Sequence, residues 1–380
     1  MEENGGGKKL LIFICCAVCA VLLSFFIFNI LIPGVTPEKE DIPDTVTTTP
    51  EESSAPTGTT PEQLAAHLRA FDTDFTVSAG SLEALLAETY TLYPELVMYY
   101  SGMSYRASAI GIRVNMSYRF PAEVDVAVTD SREGFCELIR QGLASASPEL
   151  YIVVTGCADN PPSVADIIIE THKTDYIDYM GYTGGETSYT SNDFTDVLAY
   201  SVSLEYFTDS ESLRGFKEQT RDAVDALSAE LFFDGQSALE RELAIHDAII
   251  ERCSYASDET DNFLYHTAYS AAVLGKSVCQ GYAELAALLF TSAGIENYYV
   301  EGESKGVGHA WNIVRLGDGY YHVDLTWDDP ITDGGEDMLR YDYFNLTDEM
   351  LSADHSWDAS VYPACVSDEF MRDSIGEISR

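Results

Sequence analysis

Val278-Cys279-Gln280-Gly281-Tyr282-Ala283-Glu284 is the stretch that decides how this chain folds. Its apolar positions Tyr282, Ala286, Leu289 and Ala293 recur at helical spacing, and Gly294 stands where a helix ends on a left-handed residue. The pattern predicts a helix that opens at Cys279. There, unpaired backbone N–H groups and the positive end of the helix dipole favour an anion beside the sulfur. Further on, Asn297 to Glu301 reads as a strand, followed by a Gly- and Lys-containing loop from Gly302 to Gly308. Then comes His309-Ala310-Trp311-Asn312-Ile313-Val314-Arg315. Leu316-Gly317-Asp318-Gly319 is a hairpin signal, and Tyr320-Tyr321-His322-Val323-Asp324-Leu325-Thr326-Trp327 is the returning strand.

The hairpin sets what can meet. Side chains alternate between faces along a strand, so His309 and Asp324 share a face only if the loop holds an even number of residues or a bulge compensates. A two-residue turn at Gly317-Asp318 or Asp318-Gly319 meets that condition and brings Asp324 within one or two pairs of His309. A thiol, a base in hydrogen-bond reach and a carboxylate behind that base are what nucleophilic acyl transfer needs. His322 is a rival base, because it lies two residues from Asp324 and so on its face.

Three blocks in this order and spacing resemble the core of the transglutaminase-like superfamily: Cys279-Gln280-Gly281-Tyr282-Ala283, Gly308-His309-Ala310-Trp311-Asn312, and Tyr321 through Asp324 and Trp327 to Pro330. They resemble its bacterial, surface-exposed branch more than the animal cross-linking enzymes. Ile245-His246-Asp247 with Tyr255, and Tyr343-Phe344 with His355-Ser356-Trp357, resemble the same branch. The likeness covers roughly residues 240–360. It implies an α+β, papain-like transglutaminase core, with the nucleophile helix packed on an antiparallel sheet. It also implies Cys279 as nucleophile, His309 as base and Asp324 as the orienting acid, with neither cofactor nor metal. The implied activity is cysteine acyl transfer on amide bonds through a thioester. The animal enzymes carry a tryptophan upstream of the nucleophile, whereas Trp311, Trp327 and Trp357 all follow Cys279 here. Peptidase or deamidase action is therefore expected ahead of cross-linking. The alternative is a catalytically silent cell-surface or cell-wall binding protein that keeps the fold.

Other residues bear on that reading. His246 falls on the apolar stripe of a helix with Leu239, Leu243 and Ile250, the pattern of a satisfied core histidine. Asp328 and Asp329 with Asp333, Glu336 and Asp337 do not fit a calcium-loop spacing, and a solvated acidic turn is expected. No Cys-x-x-Cys or His-x-x-x-His pairing suggests zinc. Beyond the N-terminal apolar run, Cys136, Cys157, Cys253 and Cys365 accompany Cys279, enough for two disulfides or none.

Upstream, residues 63–208 read as an α+β domain. Residues 63–90 are expected as helical, Pro94 to Tyr100 and Ile112 to Phe120 as strands, and Thr183 to Asn192 as a loop. The order helix–strand–strand suggests a duplication. This region carries no catalytic constellation and reads as a positioning or binding domain. A long amphipathic helix with Leu213, Phe216, Val224, Leu227 and Leu231 opens the second region, residues 209–380.

At the N-terminus, Lys8 and Lys9 precede an apolar run from Leu10 to Ile32. Twenty-three residues in helical form span about 35 Å, enough for a bilayer core. With the lysines inside, residues 1–9 form a cytoplasmic tail, 10–32 a transmembrane signal-anchor, and the bulk of the chain is extracytoplasmic. Residues 33–62 hold eight Thr, six Pro and seven acidic residues without an aromatic, the composition of a disordered tether. The 380 residues carry 21 Lys+Arg against 63 Asp+Glu, a formal charge of −42, which excludes nucleic acid as a partner. A peptide or protein substrate is expected, basic or derived from the cell envelope.

Overall fold

The computed structural model describes residues 58–192, 194–329 and 339–371. The expected tail, the signal-anchor and nearly all of the tether lie outside these residues. Among the described residues no helix is long and apolar enough to cross a membrane.

The described residues begin inside the last positions assigned to the tether. Thr60 Oγ1 accepts from the Gln63 N–H and the Gln63 side chain accepts from the Thr60 N–H, a capping box with Pro61 in the first turn. It starts α1 (Pro61–Arg69). Residues 63–90 are not one helical stretch, because β1 (Asp74–Val77) separates α1 from α2 (Leu82–Leu92). Phe71 turns the chain there at φ 55°, and Phe75 and Val77 then alternate into the core. The run Pro94–Tyr99 is a 3-10 helix rather than a strand; Leu96 to Tyr99 are all buried, and a continuous apolar run does not distinguish the two. β2 (Tyr100–Ser108) and β3 (Gly111–Tyr118) complete an antiparallel sheet of order β1-β3-β2.

Next come β4 (Val126–Thr129), α3 (Arg132–Ala144), β5 (Glu149–Val154), α4 (Val164–Thr174), α5 (Tyr176–Tyr179), β6 (Tyr182–Ser191) and β7 (Leu198–Tyr206). This sheet has the order β4-β5-β7-β6, with β4 and β5 parallel. The two halves therefore differ in topology, and a simple duplication does not describe them. The Gly/Ser/Thr-rich segment expected as a loop is the edge strand β6, paired with β7 through Ser191. Its side chains are mostly exposed, so it lacks the apolar alternation that marks a strand. Ile152 and Val154 of β5 face a core with α3 and α4, while Val153 joins the core of the first sheet. Burial on both faces explains the unbroken apolar run of β5.

The remaining elements build around one helix. α6 (Ser210–Leu231) and α7 (Ala238–Arg252) are separated at Gly235, whose φ is 94°. Short strands β8 (Ser254–Tyr255) and β9 (Lys276–Ser277) pair in parallel and deliver the chain to α8 (Cys279–Ser292). α8 packs on an antiparallel sheet of order β12-β11-β10-β13, made of β10 (Asn297–Ser304), β11 (Val307–Leu316), β12 (Gly319–Val323) and β13 (His355–Trp357). A short α9 (Asp348–Leu351) precedes β13. Val314, Leu316 and Val323 meet Leu285, Leu289 and Phe290 of α8 in one core. On the other sheet face, Val300, Trp311 and Ile313 meet Leu346, Leu351 and Cys365. The fold is thus α+β, with a helix on an antiparallel sheet as its final layer.

Candidate active site

Cys279 is the first residue of α8, and no side chain caps the helix at Val278. The N–H groups of its first turn are therefore directed at whatever stands beside the sulfur. The following residues fix this helix end. A Cβ at Gly281 would run into Ser277 Oγ and the Thr267 carbonyl, so only glycine lets that loop pass. The Tyr282 hydroxyl donates to Asp329 Oδ2 at 2.5 Å, and Ala283 O accepts from Asn312 Nδ2 at 3.0 Å. Glu284 is buried, accepting from Gln280 Nε2 and from the Ala268 N–H, both at 2.9 Å. Burial pushes its carboxyl up to about 8 against those bonds.

The hairpin turns on Gly317-Asp318, with Leu316 opposite Gly319 and Gly317 at φ 56°. Asn312 pairs with Val323, so Asp324 follows on the face that His309 and Trp311 share. His309 Nε2 donates to Asp324 Oδ2 at 2.6 Å. Cys279 is an electrostatic neighbour of the same ring. Burial opposes a charge on His309, but the Asp324 carboxylate, its hydrogen bond and Cys279 outweigh it and raise the ring to about 10. Burial likewise works against the Asp324 anion, yet His309 and His355 hold it down to about 2. Asp324 Oδ1 accepts the N–H groups of Thr326 and Trp327 at 3.0 and 3.1 Å.

The structure thus joins His309 to Asp324, has Cys279 as an electrostatic neighbour of the His309 ring, and leaves His322 out. Trp311 Nε1 donates to His322 Nδ1 at 3.0 Å, and His322 Nε2 faces Asp348 Oδ1 at 2.9 Å. The expected solvated acidic turn is corrected: Asp328 and Asp329 are buried. Asp328 accepts from His246 Nε2 at 3.1 Å and from the Tyr343 N–H at 2.9 Å, while Tyr282 occupies Asp329. Asp333, Glu336 and Asp337 lie outside the described residues. His246 is a satisfied core histidine, its Nδ1 facing Asp247 at 3.0 Å. Cys136, Cys157, Cys253, Cys279 and Cys365 are all free.

Three neighbours had no role assigned from sequence, although Tyr255 and His355 belong to the blocks that carry the resemblance. His355 bonds the same oxygen of Asp324 as His309, at 3.1 Å. Tyr255 lies within electrostatic reach of both Cys279 and Asp324, and burial followed by those two groups raises its hydroxyl. Tyr176 of α5, from the first region, packs with Ala283 of α8, Tyr299 of β10 and Ala310 of β11. Periodicity cannot reveal such contacts, because each joins elements far apart in the chain.

Among the described residues, two trios bring metal-ligand atoms close: His309, Asp324 and His355, and His322, Asp348 and Cys365. In the first, both imidazoles spend an N–H on Asp324 Oδ2. In the second, the Trp311 donor leaves the proton of His322 on Nε2, where a ligand lone pair would be needed. Hydrogen bonding accounts for both clusters.

Residues 225–325 match the family model described as Transglutaminase-like superfamily. That stretch is a transglutaminase-like domain. It contains Cys279, His309 and Asp324. Comparison with curated proteins gave no match. Among solved structures, the chain is similar to a TGase at 11% identity, over 71% of this chain and 78% of that one, with a TM-score of 0.26. It is similar to a candidate cysteine protease from Cytophaga hutchinsonii at 15% identity, over 41% and 66% of the two chains, with a TM-score of 0.26. A candidate protease from Parabacteroides distasonis ATCC 8503 shares 9% identity over 50% and 44%, with a TM-score of 0.21. The chain spans under two thirds of the second protein and under half of the third. At these TM-scores the likenesses carry no functional weight.

Proposed function

We propose that this chain is a membrane-anchored, outward-facing cysteine acyl-transfer enzyme that acts on amide bonds of a peptide or protein and chiefly hydrolyses them. What supports the reading is one arrangement: a sulfur at an uncapped helix start and, as its electrostatic neighbour, an imidazole bonded to a buried carboxylate at 2.6 Å.

The reactive form is the Cys279 thiolate facing the His309 imidazolium. Sulfur attacks the carbonyl carbon and a C–S bond forms. The developing oxyanion is met by the Cys279 N–H at the helix start. As the C–N bond breaks, His309 gives its proton to the leaving amine. His309 then takes a proton from water, the hydroxide oxygen attacks the thioester, and the sulfur leaves as thiolate with the imidazolium restored. Asp324 holds the ring in orientation throughout and offsets its positive charge.

Hydrolysis is favoured over amine transfer because no tryptophan precedes the nucleophile. Anchoring rests on Lys8, Lys9 and the run Leu10 to Ile32, and a basic substrate on the charge of −42. The test compares peptide cleavage with incorporation of a fluorescent amine, in wild type and Cys279→Ala. Cleavage that disappears in the variant is expected. Amine incorporation without cleavage overturns the preference for water, and the absence of any Cys279-dependent turnover favours the silent binding protein.

A further inference from the structure

We propose that His355 is a positioning residue: it shares the Asp324 carboxylate with His309 and so tempers the proton affinity that Asp324 gives to the His309 imidazole. This rests on the acyl-transfer reading only for the use it assigns to that proton affinity.

β13 pairs with β10, with His355 opposite Ser304, which sets the His355 ring beside the end of β12. Its Nε2 meets Asp324 Oδ2 at 3.1 Å, the same oxygen that takes His309 Nε2 at 2.6 Å. Its Nδ1 meets Asp354 Oδ1 at 2.7 Å. Both nitrogens face carboxylate oxygens, so the ring is held between Asp324 and Asp354 and gives its Nε2–H to the oxygen that His309 also uses. The His355 centroid lies 5.4 Å from that of His309. Trp311, Trp327 and Tyr343 surround it with ring centroids 5.2, 5.8 and 5.6 Å away. Asp354 is held in turn by the Tyr343 hydroxyl at 2.6 Å. The other titratable groups in reach are His322, which burial pushes down, and Lys305, which acts on Asp354 and lies 3.7 Å over the Trp327 ring.

The side chain of His355 is 0% exposed, so it does not touch a substrate. Its effect passes through Asp324. Two donors on one oxygen divide the negative charge that either would feel alone, so each ring holds its own proton less tightly. That division has a use. A general acid works best when its proton affinity is matched to the working pH, and His309 already stands far above neutrality. Without His355 it would hold its proton tighter still and release it to the leaving amine less readily.

The test follows the His309 ring by NMR through a pH titration in the Cys279→Ala background, which removes the thiol and any dependence on turnover. His355→Phe removes the donor and keeps an aromatic ring in the same surroundings, and His355→Leu removes it if the first variant folds poorly. Asp324→Asn assigns the signal by lowering its titration midpoint. Removing His355 is expected to raise the His309 midpoint by about one pH unit. A midpoint that stays put or falls in the folded variants overturns the proposal. Loss of Cys279-dependent turnover in the wild type would overturn the enzymatic reading and leave this titration result standing.

Discussion

Asp324 accepts four hydrogen bonds, two from imidazoles and two from backbone N–H groups, which fills its oxygens and fixes its plane. Asp324→Asn replaces an acceptor with a donor facing His309. Peptide turnover is expected to fall by about 10³-fold or more, read as kcat/KM against wild type. A loss under tenfold would show that the carboxylate does not orient the ring. At this scale the three blocks around Cys279, His309 and Asp324 were legible, because the hairpin fixes the relation of His309 to Asp324 within a few residues. His355 was not, since it reaches Asp324 from a strand added 31 residues later. The acidic pair before Pro330 misled for a similar reason: Asp-Asp-Pro has the chemistry of a turn. Only packing reveals that His246 of α7 and Tyr282 of α8 bury it.

α8 is the element on which the site depends. Gly281→Ala would press a methyl group into Ser277 and the Thr267 carbonyl, and a loss of about 1–3 kcal/mol is expected in denaturant unfolding. No change in midpoint would show that the loop gives way. Glu284 makes the helix sensitive to pH. Its folded carboxyl is raised to about 8, and Glu242 of α7, buried beside Asn345, is raised by burial to about 8 as well. The unfolded chain releases these protons near pH 4.3. The native state therefore binds more protons between the two values. This contribution is complete below about pH 4 and is lost as pH rises through 8. The thermal midpoint is expected to decline between pH 5 and 8, and Glu284→Gln should flatten that slope. An unchanged slope would place the loss elsewhere. Elements with strong periodicity or a turn signal were legible: α6, α8 and the β11–β12 hairpin. The 3-10 helix at Pro94–Tyr99 and the polar edge strand β6 were not, because burial and pairing, which decide them, leave no distinctive local pattern.

Across the whole molecule, Lys217 fastens the first region to the second. Its ammonium is buried and donates to Leu143 O at 2.6 Å and Asp178 O at 2.7 Å, while burial lowers it to about 8. Lys217→Met would leave both carbonyls without this donor. A loss of about 2–4 kcal/mol is expected by chemical denaturation, with faster proteolysis between residues 206 and 210. An unaltered transition would show that the seam holds without it. A lysine at a helical position gives no hint of such a role in sequence, and the same is true of Tyr176 beneath α8 and β10. The α+β class was legible because periodicity changes where the elements change. The central claim is that His309 activates Cys279, and competitive alkylation tests it most directly. Cys136 and Cys157 are half-buried like Cys279, so iodoacetamide at neutral pH compares three thiols of similar access within one chain. Cys279 is expected to react about tenfold faster than either, with the advantage erased by His309→Ala and by unfolding. Equal rates at the three cysteines, or an advantage that survives His309→Ala, would contradict it.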